Sequence, residues 1–304
     1  MNELVGILIG FAAAFLQSCS YVVSGAYARE SGRPAWTLLA PSFLLMGLAA
    51  LAGLPLAWPA GRPDWGVMLP AAAGSILLCM AGNGATFLML RRVDASRTSP
   101  LLALKVPMLA AAGALAGRPC TATQWCGVAL VVFAAALLSG AGRSIPAAAW
   151  AWLLVACATF CASDACIVLS YEGAREACGG STAGYTLFSL CVIYVVGGIA
   201  SAVVLPLQGV PPRATWARYA LPHAACWLTA MALLFACFAL CGLVLGNVVQ
   251  STRGLLSVGI GWALARAGFT RLEERVSART VARRALAAVL LVAAVALYAA
   301  GGTR

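Results

Sequence analysis

The sequence predicts an all-α membrane protein with ten transmembrane helices, arranged as two inverted five-helix repeats around a central cavity. Three observations predict this fold class: an apolar composition, a series of long apolar windows and an internal repeat. Of the 304 residues, 62% are hydrophobic and only 10% are charged, whereas a soluble protein carries roughly 25% charged residues. A chain this apolar has too few polar residues to cover a surface exposed to water, so lipid must surround most of it.

The apolar windows have the length of membrane-spanning helices. About 20 apolar residues are needed for a helix to cross ~30 Å of hydrocarbon. The runs are continuous and lack the alternation of a membrane β-barrel. The shortest joint, at residues 241–246, separates the eighth and ninth windows. The ten windows lie at residues 4–26, 35–57, 66–90, 98–117, 123–140, 147–169, 182–206, 219–240, 243–265 and 281–299.

The chain also repeats itself weakly. Lys105 lies 148 positions before Arg253, and shorter matches follow the same order along the two halves. Five helices per half is an odd number, so the two halves would enter the membrane in opposite senses, as in the inverted repeats of many transporters. The predicted repeats cover residues 1–145 and 146–304.

Short motifs in both halves resemble a known family of transporters. They are Ser99-Pro100 before the fourth window, the turn Leu115–Pro119, the segment Thr123–Leu130 and, before the last window, residues 272–277. These motifs are similar to those of the drug/metabolite transporter superfamily, and most of all to its EamA-type members. The resemblance implies the ten-helix fold, transport of a small molecule, and both termini in the cytoplasm.

Three charged residues fall inside the predicted spans: Lys105, Asp164 and Arg253. A charge at mid-membrane costs ~2.5–3.5 kcal/mol, so each needs a partner or a wet cavity. Matching positions in the two repeats would place Lys105 and Arg253 at one depth, facing the central cavity. Two cations there favour an anionic or zwitterionic substrate, and family members with phosphorylated or nucleotide substrates resemble this arrangement. The alternative is a buried ion network, or side chains that reach the headgroups.

Further polar residues complete the predicted substrate-binding set. Lys105 is the only lysine in the chain, and a buried lysine can lose its proton whereas an arginine cannot; a proton is therefore the candidate coupling ion. On the predicted helix bounds, Asp164 lies about 9 Å from the midplane, so a direct bond to Lys105 is not required. Asn83, Gln17 and Gln250 either bind substrate or hydrogen-bond neighbouring helices.

The sequence predicts no catalytic residue, no metal site and no cofactor. Most of the 12 cysteines lie inside apolar windows as packing residues, and the single histidine, His223, has no cluster of metal-binding side chains around it in sequence. The net charge of +11 comes from arginines in short loops, which indicates membrane topology and not a nucleic-acid partner. No glycine-rich nucleotide-binding loop is present.

These observations predict a secondary transporter, not an enzyme. We expect it to export or exchange a small organic metabolite by alternating access, as a monomer or a homodimer. The alternatives are a flippase for a lipid-linked substrate and, third, an intramembrane enzyme. An enzyme would need a second carboxylate, a histidine or a metal beside Asp164.

The expected location is the bilayer of a bacterial inner (cytoplasmic) membrane. Apart from Lys105 and Arg253, the loops on the side of the N-terminus hold four basic residues and the opposite loops hold fourteen. Because basic loops stay in the cytoplasm, this count places both termini outside. The family resemblance implies the reverse orientation.

Overall fold

The computed structural model describes residues 2–90, 92–93, 101–139, 145–209, 212–266 and 278–302, and these residues form helices and turns without a strand. The motif Ser99-Pro100 and residues 272–277 lie outside them. Short 3₁₀ turns, Ala35–Leu38 and Leu102–Leu104, precede α2 and α4, and a π-helical segment, Trp216–Ala220, leads into α8. The helices are α1 (Asn2–Ser31), α2 (Leu39–Ala57), α3 (Trp65–Leu90), α4 (Lys105–Leu115), α5 (Ala122–Ser139), α6 (Ala147–Arg175), α7 (Thr182–Gln208), α8 (Leu221–Cys241), α9 (Leu243–Gln250), α10 (Arg253–Arg266) and α11 (Ala278–Gly302).

Within these ranges, six helical segments are long and apolar enough to cross a membrane, by length and composition. They belong to α1, α2, α3, α6, α7 and α8. Shorter apolar stretches lie in α4, α5 and α11. The chain is therefore an α-helical integral membrane protein, while the count of ten spans and the inverted repeat stay predictions. The six segments are Asn2–Tyr27, Trp36–Ala57, Trp65–Thr86, Ala147–Arg175, Thr182–Gln208 and Arg213–Cys241.

The ninth predicted window, 243–265, is not one continuous helix but two, α9 and α10. Two hydroxyl groups mark the break. Ser251 Oγ donates to the Val248 carbonyl at 2.5 Å, and Thr252 Oγ1 donates to the Val249 carbonyl at 2.7 Å. Such bonds compete with the backbone ladder of a helix, so the helix ends and restarts here.

A single glycine separates α8 from α9. Gly242 has φ 80° and ψ 165°, a conformation that glycine adopts without the steric penalty of a side chain. The Gly242 amide still donates to the Phe238 carbonyl at 2.9 Å, so the last turn of α8 keeps its hydrogen bond up to the break. The short joint at 241–246 is thereby a one-residue break.

Helices of the two predicted halves pack against each other in pairs. The pairs are α1 with α8, α2 with α7, α3 with α6, α4 with α9 and α5 with α11. In chain order, α1, α2 and α3 of the first half correspond to α6, α7 and α8 of the second. Under this correspondence the α1–α8 pair is equivalent to the α6–α3 pair, and each of the other pairs joins a helix to its own counterpart. Most helix contacts of the bundle core therefore join one half to the other.

Glycines allow the closest of these contacts. A Cβ added at Gly47 of α2 would lie 2.5 Å from the Gly198 Cα of α7. A Cβ added at Gly10 of α1 would lie 2.8 Å from Cys237 Sγ and 2.9 Å from Val249 Cγ1. No side chain fits at such distances, so small residues set how closely these helices approach.

Candidate functional site

Five buried polar side chains meet inside the bundle. Gln17 lies at the middle of α1, Asp164 lies in α6, and Gln250 is the last residue of α9. Lys105 and Arg253 are the first residues of α4 and α10. Their exposed fractions are only 4% for Gln17, 6% for Lys105, 7% for Asp164, 4% for Gln250 and 8% for Arg253. All five were singled out from the sequence, and the structure brings them together.

The two cations occupy the same position relative to a helix start. Lys105 follows the 3₁₀ turn Leu102–Leu104, and Arg253 follows the break at Ser251 and Thr252. Interrupted helices of this kind line the binding sites of many transporters, because irregular backbone at membrane depth is tolerated where it borders a cavity. The 148-residue spacing in the sequence therefore corresponds to an equivalence in local structure.

Lys105 and Asp164 form a buried ion pair. The Nζ atom of Lys105 lies 3.2 Å from Asp164 Oδ2, and it also donates to Gln250 Oε1. Helix α6 continues to Arg175, six residues beyond the predicted end of its window. Asp164 lies three residues, or about 4.5 Å, from the middle of the observed helix, and the structure contains the direct bond to Lys105 that the predicted depth did not require.

A relay of side-chain amides links this ion pair to Arg253. Gln250 Nε2 donates to Gln17 Oε1 at 3.1 Å, and Arg253 Nη1 donates to the same oxygen at 3.1 Å. Arg253 Nη1 also donates to Tyr21 Oη at 3.3 Å, and its guanidinium lies 5.2 Å from the centroid of the Tyr21 ring. We call these side chains the polar network: Gln17, Tyr21, Lys105, Asp164, Gln250 and Arg253.

The polar network carries an excess of positive charge. Asp164 neutralises Lys105. The described partners of Arg253 are the neutral Gln17 and Tyr21, and among the described side chains it forms no ion pair. With the ion pair formed, one positive charge in the network lacks a described anionic partner.

The network encloses very little space. A cavity of about 10 Å³ is lined by Leu102, Ala103, Lys105, Gln250, Ser251 and Arg253. This is about the room that one water molecule needs. Lys105 and Arg253 line the same small cavity, and their predicted role in a central substrate cavity stays a prediction.

An aromatic cluster, which the sequence analysis did not assign to the site, adjoins Arg253. The Tyr21 ring contacts the Trp227 ring edge-on at 5.9 Å, and Trp227 Nε1 donates to Tyr194 Oη at 2.9 Å. His223 stacks on Trp227 at 5.8 Å and is 2% exposed. The one signal for Tyr21 was its position one helical turn after Gln17, which places both on the same face of α1.

Asn83 does not join the polar network through any hydrogen bond that the structure describes. Its Nδ2 atom donates to the Cys79 carbonyl at 2.8 Å, within α3. This bond within its own helix uses one of the donors of the Asn83 amide, and a role of Asn83 in substrate binding stays a prediction. Across the described ranges, no three His, Cys, Asp or Glu side chains are grouped as metal ligands would be.

Comparisons with known proteins agree with the helical membrane fold and with the family resemblance. A family model described as the EamA-like transporter family matches residues 4–140. A solved structure titled "Crystal structure of protein" is 19% identical, covers 96% of this chain and 96% of its own, and superposes with a TM-score of 0.65; the chain shares its fold. No curated protein sequence matches. Residues 4–140 thus carry the sequence pattern of the EamA-like transporter family, and the resemblance to the drug/metabolite transporter superfamily is confirmed over that segment.

Proposed function

We propose that this chain is a secondary transporter that moves a small organic metabolite with an anionic or zwitterionic group across the membrane by alternating access. The observation that carries the proposal is the polar network, which is buried inside the helix bundle and holds one positive charge without a described anionic partner. A buried charge of this kind is costly unless a partner or water compensates it. A carboxylate or phosphate on the substrate would supply that partner.

Arg253 is the group best suited to receive the anion. Its guanidinium matches the geometry of a carboxylate or phosphate and donates two parallel hydrogen bonds to it. The bonds that it makes in this structure, to Gln17 and Tyr21, are to neutral oxygens. An anion would form stronger, charge-assisted bonds and displace them. Gln17 and Gln250, which already relay between the two cations, would then bond other polar groups of the substrate.

Alternating access is supported by where the network lies. Its members come from α1, α4, α6, α9 and α10, which belong to both predicted halves. The cavity between them, at about 10 Å³, is too small for a metabolite, so loading requires the halves to move apart. Because the helix pairs of the core join one half to the other, a rocking motion of one half against the other would open and close this site.

The direction of transport, the membrane and the oligomeric state in the proposal follow from the sequence alone. We assign export or exchange as the direction, a bacterial inner membrane as the location, and a monomer or homodimer as the working unit. A flippase for a lipid-linked substrate would need a lateral opening between helices, and an intramembrane enzyme would need a second catalytic group beside Asp164. The described neighbour of Asp164 at hydrogen-bond distance is Lys105.

Transport by purified protein in liposomes tests the proposal. Vesicles loaded with unlabelled compound are offered labelled carboxylates, phosphorylated metabolites, amino acids or cationic dyes. We expect exchange of at least one anionic or zwitterionic compound, and a loss of about tenfold or more in Arg253→Ala, as expected for removal of a hydrogen bond to a charged group.

The matched control is Arg62→Ala, which removes an exposed arginine in the loop between α2 and α3. It should transport at the wild-type rate. Exchange restricted to cationic compounds, or an Arg253→Ala variant as active as the control, would contradict the proposal.

A further inference from the structure

We infer that Asp164 is the binding site of the coupling proton, and that proton binding there releases Lys105 to hold the anionic group of the substrate. The inference rests on the proposed function and extends it to the driving ion. Because proton and anion are bound together in the loaded site, they move in the same direction, so of the proposed modes it fits exchange, or export down the gradient of the substrate itself. Its basis is the geometry of the polar network, in which one carboxylate and the expected substrate anion compete for the same ammonium group.

The competition follows from the distances around Lys105. Its Nζ atom contacts Asp164 Oδ2 at 3.2 Å and donates to Gln250 Oε1. Lys105 and Arg253 border the same cavity. An anion held between them would bond the ammonium group that Asp164 already occupies, and two negative charges at such separations repel strongly in a medium of low dielectric constant.

A proton on Asp164 removes this conflict. The neutral carboxyl group no longer forms an ion pair with Lys105, so the ammonium can turn to the substrate while Gln250 keeps its hydrogen bond. When the substrate leaves, the free ammonium favours loss of the proton and the ion pair forms again. The proton moves between water and Asp164, and no covalent bond to substrate is made or broken.

The net charge of the site is the same in the empty and in the loaded state, and these are the two states in which the protein reorients across the membrane. The empty site holds Lys105, Arg253 and an ionised Asp164, which is one net positive charge. The loaded site holds both cations, a neutral Asp164 and one substrate anion, which is again one. Since buried charge is a main cost of such a site, equal charge lets the empty and the loaded protein reorient with similar ease.

No other described group is as well placed to take the proton. The titratable groups that interact electrostatically with Asp164 are Lys105 of α4, Cys79 of α3, and Cys161 and Tyr171 of α6 itself. Thiols and phenols are uncharged near neutral pH, so they do not replace the carboxylate as the partner of Lys105. From α9 the network receives only the neutral Gln250, and α10 contributes Arg253, a permanent cation.

Proton-driven accumulation in liposomes tests the inference. Wild-type protein should accumulate the transported anion against its gradient when the compartment that supplies the anion is made more acidic, with uptake of protons seen by a pH-sensitive dye. Asp164→Asn, which keeps an oxygen for Lys105 but takes no proton, should slow exchange in part and abolish the accumulation and the dye signal altogether. Asp164→Glu should restore both in part.

Asp64→Asn is the matched control, because Asp64 is an exposed aspartate that caps α3 through the Gly66 amide at 2.9 Å. It should behave as wild type in every assay. Accumulation and proton uptake that persist in Asp164→Asn would overturn the proton site and leave the transporter proposal standing. A wild-type protein that exchanges none of the anions would overturn the proposed function, and the proton site with it.

Discussion

Single residues in the polar network depend on one another. Lys105 and Asp164 are each buried to more than nine-tenths and bonded at 3.2 Å. A buried ion pair adds little to stability over an apolar pair of similar size, but removal of one partner leaves the other charge without compensation. The two residues should therefore behave as a unit when stability is measured.

The Lys105→Met variant tests this dependence. We expect it to lower the free energy of unfolding by about 3–5 kcal/mol, because the Asp164 carboxylate is left buried and unpaired. Adding Asp164→Asn should recover more than half of the loss. The measurement is the apparent melting temperature of purified protein in detergent, for the two single variants and the double variant. Additive effects of the two substitutions would show that the residues do not interact.

The sequence located most of these residues but not their contacts. Lys105, Asp164, Arg253 and the two glutamines stand out because polar side chains are rare in apolar windows. Tyr21 does not stand out, since aromatic residues are ordinary in such helices. The bond between Lys105 and Asp164 was not predictable, because hydropathy gives an approximate depth for each residue and not which side chains meet. Asn83 was singled out on the same ground, but its described hydrogen bonds lie within its own helix.

At the level of helices, α1 meets α8 in two different ways. Near its N-terminus, Gly10 brings the α1 backbone against Cys237 of α8. Near its C-terminus the contact is made by side chains: Arg218 Nη2 and Tyr219 Oη, just before α8, each donate to Glu30 Oε2 at 2.5 Å. The Arg218 and Glu30 side chains are 68% and 48% exposed. An exposed ion pair contributes at most about 1 kcal/mol, so this end of the α1–α8 contact is the one that separates more readily.

Arg218→Ala should loosen that end. In a Val23→Cys background, we expect a water-soluble thiol reagent to label the new cysteine up to about fivefold faster, the factor that corresponds to ~1 kcal/mol. Val23 is half-buried and packs against the cluster that includes Tyr27 and Tyr219, so it reports on this contact. Arg213→Ala, which removes an exposed arginine five residues earlier, is the matched control. Equal labelling rates in the two variants would show that the Glu30–Arg218 pair does not hold this end closed.

Helix positions were predictable and helix interruptions were not. Continuous apolar windows locate the helices well, because lipid requires long runs of apolar residues whatever their packing. Hydropathy does not reveal the break between α9 and α10, because residues 243–265 are apolar on average despite the polar run from Gln250 to Arg253. Its signals are local: Gly242 before α9, and the adjacent hydroxyls of Ser251 and Thr252 after it. These same interruptions position Gln250 and Arg253. The sequence therefore pointed to these two residues of the polar network but not to the helix breaks that place them.

For the whole molecule, the pairing of helices and the distribution of space support two halves that move against each other. A cavity of about 260 Å³, which we call the N-terminal cavity, lies at the end of the bundle where α1 begins. It is close to the size of a small ligand site. Between it and the polar network, Gly10 is packed against Cys237 and Val249. The residues that line the N-terminal cavity are Glu3, Gln124, Leu240, Cys241, Leu245 and Tyr298.

If the N-terminal cavity is one mouth of the pathway, Cys241 in its wall should react with a membrane-impermeant thiol reagent, and saturating substrate should slow the reaction by closing the halves. The assay uses a variant that keeps Cys241 and replaces the other cysteines by alanine. A variant that keeps only Cys126 is the control, since Cys126 lies near the same end of the bundle on α5 but is exposed on its outer surface, where lipid would keep the reagent away.

Labelling from outside intact cells supports the orientation given by the positive-inside count, because Cys241 lies on the side of the N-terminus. Labelling only in inverted vesicles supports the orientation that the family resemblance implies. A Cys241 no more reactive than Cys126 from either side would show that this cavity does not open to water, and the pathway would have to reach the polar network by another route.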